Sequence, residues 1–131
     1  MDKFFREATE ETPHIAFDAE ANELNIQGIS YPEDHIEFFE PMFDWLEEYF
    51  AQLNHADVTV NIKIVYFHSG STKVLLYFFD KLVEEAGTGT RITINWIYNK
   101  EEQDMLEFGE QFQQDFNELN FNFIEMAGES L

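Results

Sequence analysis

The 131-residue chain contains no cysteine. That excludes disulfides, thiol nucleophiles and thiolate-ligated metals. Cations are scarce too. Lys and Arg number 7 against 27 Asp and Glu, for a formal charge of −20. Between residues 7 and 62 fourteen acids stand without one Lys or Arg. A nucleic-acid binder needs cations to displace condensed counterions, and this surface would repel phosphate. Anionic membranes are disfavoured for the same reason, whereas partners with basic surfaces are favoured. No stretch approaches the uncharged apolar length that spans a bilayer. The N-terminal MDKFFREATEE is acidic and has no apolar h-region, so no signal peptide is expected and the protein reads as cytoplasmic. Internal repeats, low-complexity segments and linkers are also missing. Serine is rare, with four in all, and two of them stand together at 69 and 71.

What the chain does have is apolar bulk. Hydrophobic residues make up 44%, and Phe alone contributes 15. This length and composition give one domain with a proper core rather than a disordered segment. Residues 1–12 are polar and read as a loose, flexible arm, with a single domain over 13–127. HIAFD (14–18) and ELNIQG (23–28) alternate around a turn, as a β-hairpin does. Ser30 and Glu33 have capping-box spacing, and Pro32 suits a first helical turn. A helix is predicted over about 33–53, with Ile36, Phe39, Phe43, Leu46, Phe50 and Leu53 as its inner stripe. Pro41 inside it predicts a kink or a late start.

A long strand follows at 56–67. Val58, Val60, Ile62 and Ile64 share one face of it, and Thr59, Asn61 and Lys63 the other. Next comes a helix over 71–86 with Leu75, Phe78, Phe79, Leu82 and Ala86 inward, closed by Gly87-Thr88-Gly89. A strand at 90–98, a helix at about 101–116 and a short strand at 120–126 complete the order ββαβαβαβ. Both middle strands alternate instead of being apolar throughout. A sheet covered on both faces would not need their polar side. The expectation is an α/β fold, a mixed sheet of about five strands with three helices on one face and right-handed parallel crossovers.

Four places carry candidate chemistry. His14, His35, His55 and His68 lack the convergent spacing of a zinc site and read as isolated surface or loop residues. Glu33, Glu37, Glu40, Asp44 and Glu47 form an acidic stripe with nearly the period of the first helix. It reads as a solvated face or as a docking surface for a basic partner. HSGS (68–71) is no nucleophile elbow: Ser69 lacks the flanking glycines, and no His follows position 68. The strand-to-helix corner itself is the fourth. One hydroxyl is enough for an N-cap, yet Ser69, Ser71 and Thr72 all lie there. Gly70 permits close approach to the backbone. Lys73 opposes the helix dipole by roughly 0.3–1 kcal/mol unless an anion sits beside it. A helix N-terminus suits a phosphate, so the corner has the features of a phosphorylation switch.

Three stretches, Ser30-Tyr31-Pro32-Glu33, the 66–73 corner with Lys73, and Trp96-x-Tyr98, resemble the SiaC family of bacterial regulatory phosphoproteins. The resemblance covers roughly 12–126. More distantly, the strand–hydroxyl corner–helix layout is similar to STAS-domain anti-sigma-factor antagonists. The resemblance implies a STAS-like fold and a non-enzymatic adaptor without cofactors. It also implies a dedicated protein kinase that phosphorylates the corner and a PP2C-type phosphatase that reverses this. The unphosphorylated form would bind and activate a diguanylate cyclase, raising cyclic di-GMP and promoting biofilm formation. By position the phosphoacceptor is Ser69, with Ser71 and Thr72 as alternatives. Tyr66, His68, Gly70 and Lys73 would support the phosphate or the partner. A STAS-like scaffolding or ligand-binding module, with Ser69 as a plain cap, is the rival expectation.

Overall fold

The computed structural model describes residues 1–9, 12–30, 35–53, 56–67, 72–86 and 89–126. Its elements are β1 (Phe4–Arg6), β2 (His14–Asp18), β3 (Glu23–Ser30), α1 (His35–Gln52), β4 (Asp57–Phe67), α2 (Thr72–Ala86), β5 (Arg91–Asn99), α3 (Gln103–Asp115) and β6 (Asn120–Met126). The strands form one sheet in simple chain order. β1, β2 and β3 are antiparallel neighbours, and β3 to β6 are parallel. Each parallel step is bridged by one helix and always advances in the same direction. Right-handed crossovers of that kind place all three helices on one face.

Alternation carries this arrangement into packing. Phe4, Phe17, Leu24, Val60, Ile94 and Phe121 lie in register across all six strands, and all are buried. Ile15, Ile26, Ile62 and Trp96 form a second buried row. α2 lays Phe78 and Phe79 on these rows, against Phe17 and Phe121, with ring centroids at 6.4 and 5.5 Å. Burying such a side chain is worth roughly 1.5–3 kcal/mol, so this two-layer core carries most of the stability.

The opposite face is polar and has its own order. Asn25, Asn61, Asn95 and Asn122 are in register on four adjacent parallel strands. The Asn61 side-chain amide donates to the Asn25 oxygen at 2.8 Å, Asn95 to Asn61 at 2.8 Å and Asn122 to Asn95 at 3.2 Å.

Three details depart from the sequence-based expectation. Where a loose arm is expected, residues 4–6 supply a sixth strand. Phe4 completes the buried row, and the Trp45 indole donates to the Asp2 carbonyl at 2.8 Å. Next, of the kink or late start expected at Pro41, the late start does not occur: α1 begins six residues before it, and Pro41 is exposed. Finally, the inner face of α1 is rotated. Met42, Trp45 and Tyr49 are buried with Phe39, Leu46 and Phe50, while Phe43 and Leu53 are only half-buried. Trp45 and Tyr49 stack at 5.0 Å, and the Tyr49 hydroxyl donates to the Asn22 side-chain oxygen at 2.7 Å. Burial pushes the Tyr49 phenol up to about 12. The predicted capping box (Glu33, with Pro32), His55 and the helix-ending Gly87-Thr88 fall outside the described residues.

Trp96 fixes α3. Its indole donates to the Met105 carbonyl at 2.8 Å, and a methyl placed on Gly109 would meet the indole at 2.6 Å. Gly109 is therefore the gap through which the indole reaches the helix backbone. Gly109→Ala should destabilise the protein by about 1–3 kcal/mol through overpacking, despite its better helix propensity. Asn61→Ala breaks two rungs and leaves part-buried amide groups unpaired, at a cost of about 1–3 kcal/mol. Asn122→Ala, at the end of the ladder, should cost less than half as much. Urea denaturation of the three variants measures both the size and the order of these effects.

Candidate functional site

The corner between β4 and α2 is approached by two unusual pieces of backbone. The β3–β4 ladder slips one register between Gly28 and Ile29: Gly28 pairs with Ile64, but Ile29 pairs with Tyr66. Gly28 has φ +124, a conformation that L side chains rarely adopt. Such bulges re-aim side chains and recur beside functional sites. β4 also parts from β5. Among the described residues their ladder ends at Ile62 and Trp96, while β3 follows β4 as far as Phe67. The last stretch of β4 is thus paired on the β3 side, and it leads directly into the corner.

On the far side of the corner, α2 begins at Thr72. Lys73 is its second residue and is exposed. α1 and α3 each carry a carboxylate in the first turn, Glu37 and Asp104, whereas the first turn of α2 has none. The positive end of the α2 dipole thus faces a cation instead of the usual acid. Tyr66 lies on β4 opposite Ile29. His68, Ser69, Gly70 and Ser71 fall outside the described residues, as does Glu33.

The acidic stripe has the expected placement over its described part. Glu37, Glu40, Asp44 and Glu47 are all exposed on α1. Next to them is a feature that the reading of apolar stripes passed over. Phe43 on α1 and Tyr77, Asp80, Lys81, Val83 and Glu84 on α2 line an interhelical groove of about 600 Å³. Tyr77 is 55% exposed. It sits between the inward positions Leu75 and Phe78 on the sequence, and only the packing of α1 against α2 shows that it borders a groove. Among the described residues no group of His, Asp and Glu is placed to hold a metal. Nor, among the described residues, is any helix long and apolar enough to cross a membrane.

A family described as SiaC family regulatory phosphoprotein matches residues 6–126. The chain belongs to the SiaC family. An uncharacterized protein of Pseudomonas aeruginosa strain UCBPP-PA14 is 32% identical over 108 residues, 82% of this chain and 84% of that protein. The fold agrees with solved family structures. SiaC of Pseudomonas aeruginosa matches with a TM-score of 0.82 at 28% identity, over 97% of this chain and 99% of that one. A chain in the structure of the diguanylate cyclase SiaD in complex with its activator SiaC, from the same organism, matches with a TM-score of 0.86. It is 27% identical, over 94% of this chain and 99% of that one. Two of the stretches that suggested the family now have a physical setting. Trp96 is the residue that docks α3, and Lys73 stands in the acid-free first turn of α2.

The exposed acids of α1 repel one another at helical spacing. Glu40 lies three residues from Glu37 and four from Asp44. Glu40→Lys turns both repulsions into attractions, each worth a few tenths of a kcal/mol. The variant should be more stable by about 0.5–1.5 kcal/mol, and the gain should shrink in 0.5 M NaCl. Thermal denaturation at low and high salt reads both effects.

Proposed function

We propose that this protein is a non-enzymatic, phosphorylation-controlled adaptor whose unmodified form binds and activates a diguanylate cyclase. Its output is cyclic di-GMP signalling in the cytoplasm. The observation that carries the reading is the match, over almost the whole of both chains, to a family structure in which SiaC is the activator of the cyclase SiaD. Membership in a family of regulatory phosphoproteins supports a phosphate-dependent switch.

The acceptor in this reading is Ser69, with Ser71 and Thr72 as the neighbouring hydroxyls. A phosphate there would bring about −1.5 to −2 charges at pH 7. The α2 amides and Lys73 suit that charge, because the first turn holds no competing carboxylate. A partner that covers the unmodified corner would have to strip water from a dianion once it is phosphorylated. That cost, together with the added bulk, is what releases the partner. A protein kinase and a PP2C-type phosphatase would set the balance. His68, Gly70 and Tyr66 would shape the contact.

Incubation with the cognate kinase and ATP, followed by peptide mapping, should place phosphate on Ser69, Ser71 or Thr72. Ser69→Ala should activate the purified cyclase as the wild type does, and Ser69→Asp should lose at least tenfold in that activation with an unchanged melting temperature. Normal activation by Ser69→Asp, or phosphate only outside residues 69–72, contradicts the assignment.

A further inference from the structure

We propose that the groove between α1 and α2 is the main docking surface for the partner. It would receive a partner segment that carries apolar anchor side chains flanked by Lys or Arg. This rests on the adaptor reading above and adds to it a place and a chemistry of recognition.

The floor of the groove is apolar. Phe43 and Val83 are half-buried in it, and Tyr77 stands at its border more than half exposed. Aromatic side chains left in water beside a groove are the usual anchors of protein interfaces. The walls are acidic. Asp80 and Glu84 line the groove on α2. On α1, Glu40 and Glu47 lie three residues before and four after Phe43, which puts them on the same side of that helix. Among the described lining residues Lys81 is the one cation. An apolar floor with carboxylate walls selects an apolar segment bordered by cations, both in encounter rate and in register.

The same charge argues against a second copy as the occupant. A chain of net charge −20 that presented this face to itself would bring two sets of carboxylates together. A basic partner meets attraction instead. The groove is also separate from the phosphorylatable corner. Tyr77 is five residues beyond Thr72, about 7–8 Å along the helix axis. A partner seated in the groove could reach the corner, so anchoring and switching would belong to different side chains.

The test uses the full chain, the purified cognate diguanylate cyclase and titration calorimetry at 50 and 300 mM NaCl. Tyr77→Ala and the double variant Asp80→Lys/Glu84→Lys should each weaken cyclase binding at least tenfold. The double variant should also flatten the salt dependence. Glu107→Lys/Glu110→Lys on α3 makes the same change in net charge at exposed positions away from the groove and should bind within threefold of wild type. All variants should keep the wild-type melting temperature within a few degrees and remain substrates of the kinase. If the groove variants bind like wild type, or the α3 variant weakens binding as much as they do, the groove assignment is overturned while the adaptor reading stands. If the wild-type chain does not bind the cyclase at all, both fall. A wild-type dimer in sedimentation that Tyr77→Ala dissociates would make the groove a self-interface and overturn the proposal.

Discussion

Hydrogen bonds passed from Asn61 to Asn25, from Asn95 to Asn61 and from Asn122 to Asn95 tie together the four parallel strands on the face the helices leave open. A parallel sheet usually hides both faces under helices. Here one face is covered, so the other has to meet water without losing its register. The ladder does this with amides that bond to one another and still present polar groups to solvent. It also acts on the core. Slipping any of these strands by one residue would turn its asparagine inward and the apolar residues beside it outward. The polar row and the two apolar rows thus specify the same pairing from opposite sides of the sheet.

Much of this was legible in the sequence because period-two alternation is a strong signal when one face is buried. Thr59, Asn61, Lys63, Thr93 and Asn95 stand on the predicted polar face, and the order of elements follows from it. What alternation cannot show is a partner. Nothing local to Asn61 says that Asn25 and Asn95 will lie beside it. Strand β1 escaped for a different reason: three residues are too few to display a period, and the stretch around them is polar. The rotation of α1 reflects competition between two apolar stripes. Phe43 fits the 3-and-4 spacing, but Trp45 and Tyr49 stack, and each finds a hydrogen-bond acceptor. Gly109 was silent because its meaning lies in Trp96, thirteen residues earlier and on another element.

The candidate site divides in the same way. Lys73 in a first turn without acids is a local anomaly, and a local anomaly can be read from sequence. The groove is not local. Phe43 and Tyr77 come from different helices, and each looks like an ordinary half-buried or surface aromatic until the helices are side by side. Their separation from the corner shapes how a phosphate would act. In the proposed reading the acidic groove walls would attract a cationic partner, and a further negative charge nearby would not repel it. Release would therefore depend on crowding and dehydration at the corner.

The neighbours of the ladder residues bear on how the protein ages. Asparagine deamidates when the backbone nitrogen of the next residue attacks its side-chain carbonyl and closes a five-membered ring. Ile26, Ile62, Trp96 and Phe123 follow the four ladder asparagines. Each of these asparagines is held in an extended strand with its amide engaged by a neighbour. A bulky successor, a fixed strand backbone and an occupied amide all oppose ring closure. The row that holds the sheet in register is therefore chemically long-lived, and hydrolytic wear will fall first on exposed asparagines in turns, such as Asn117.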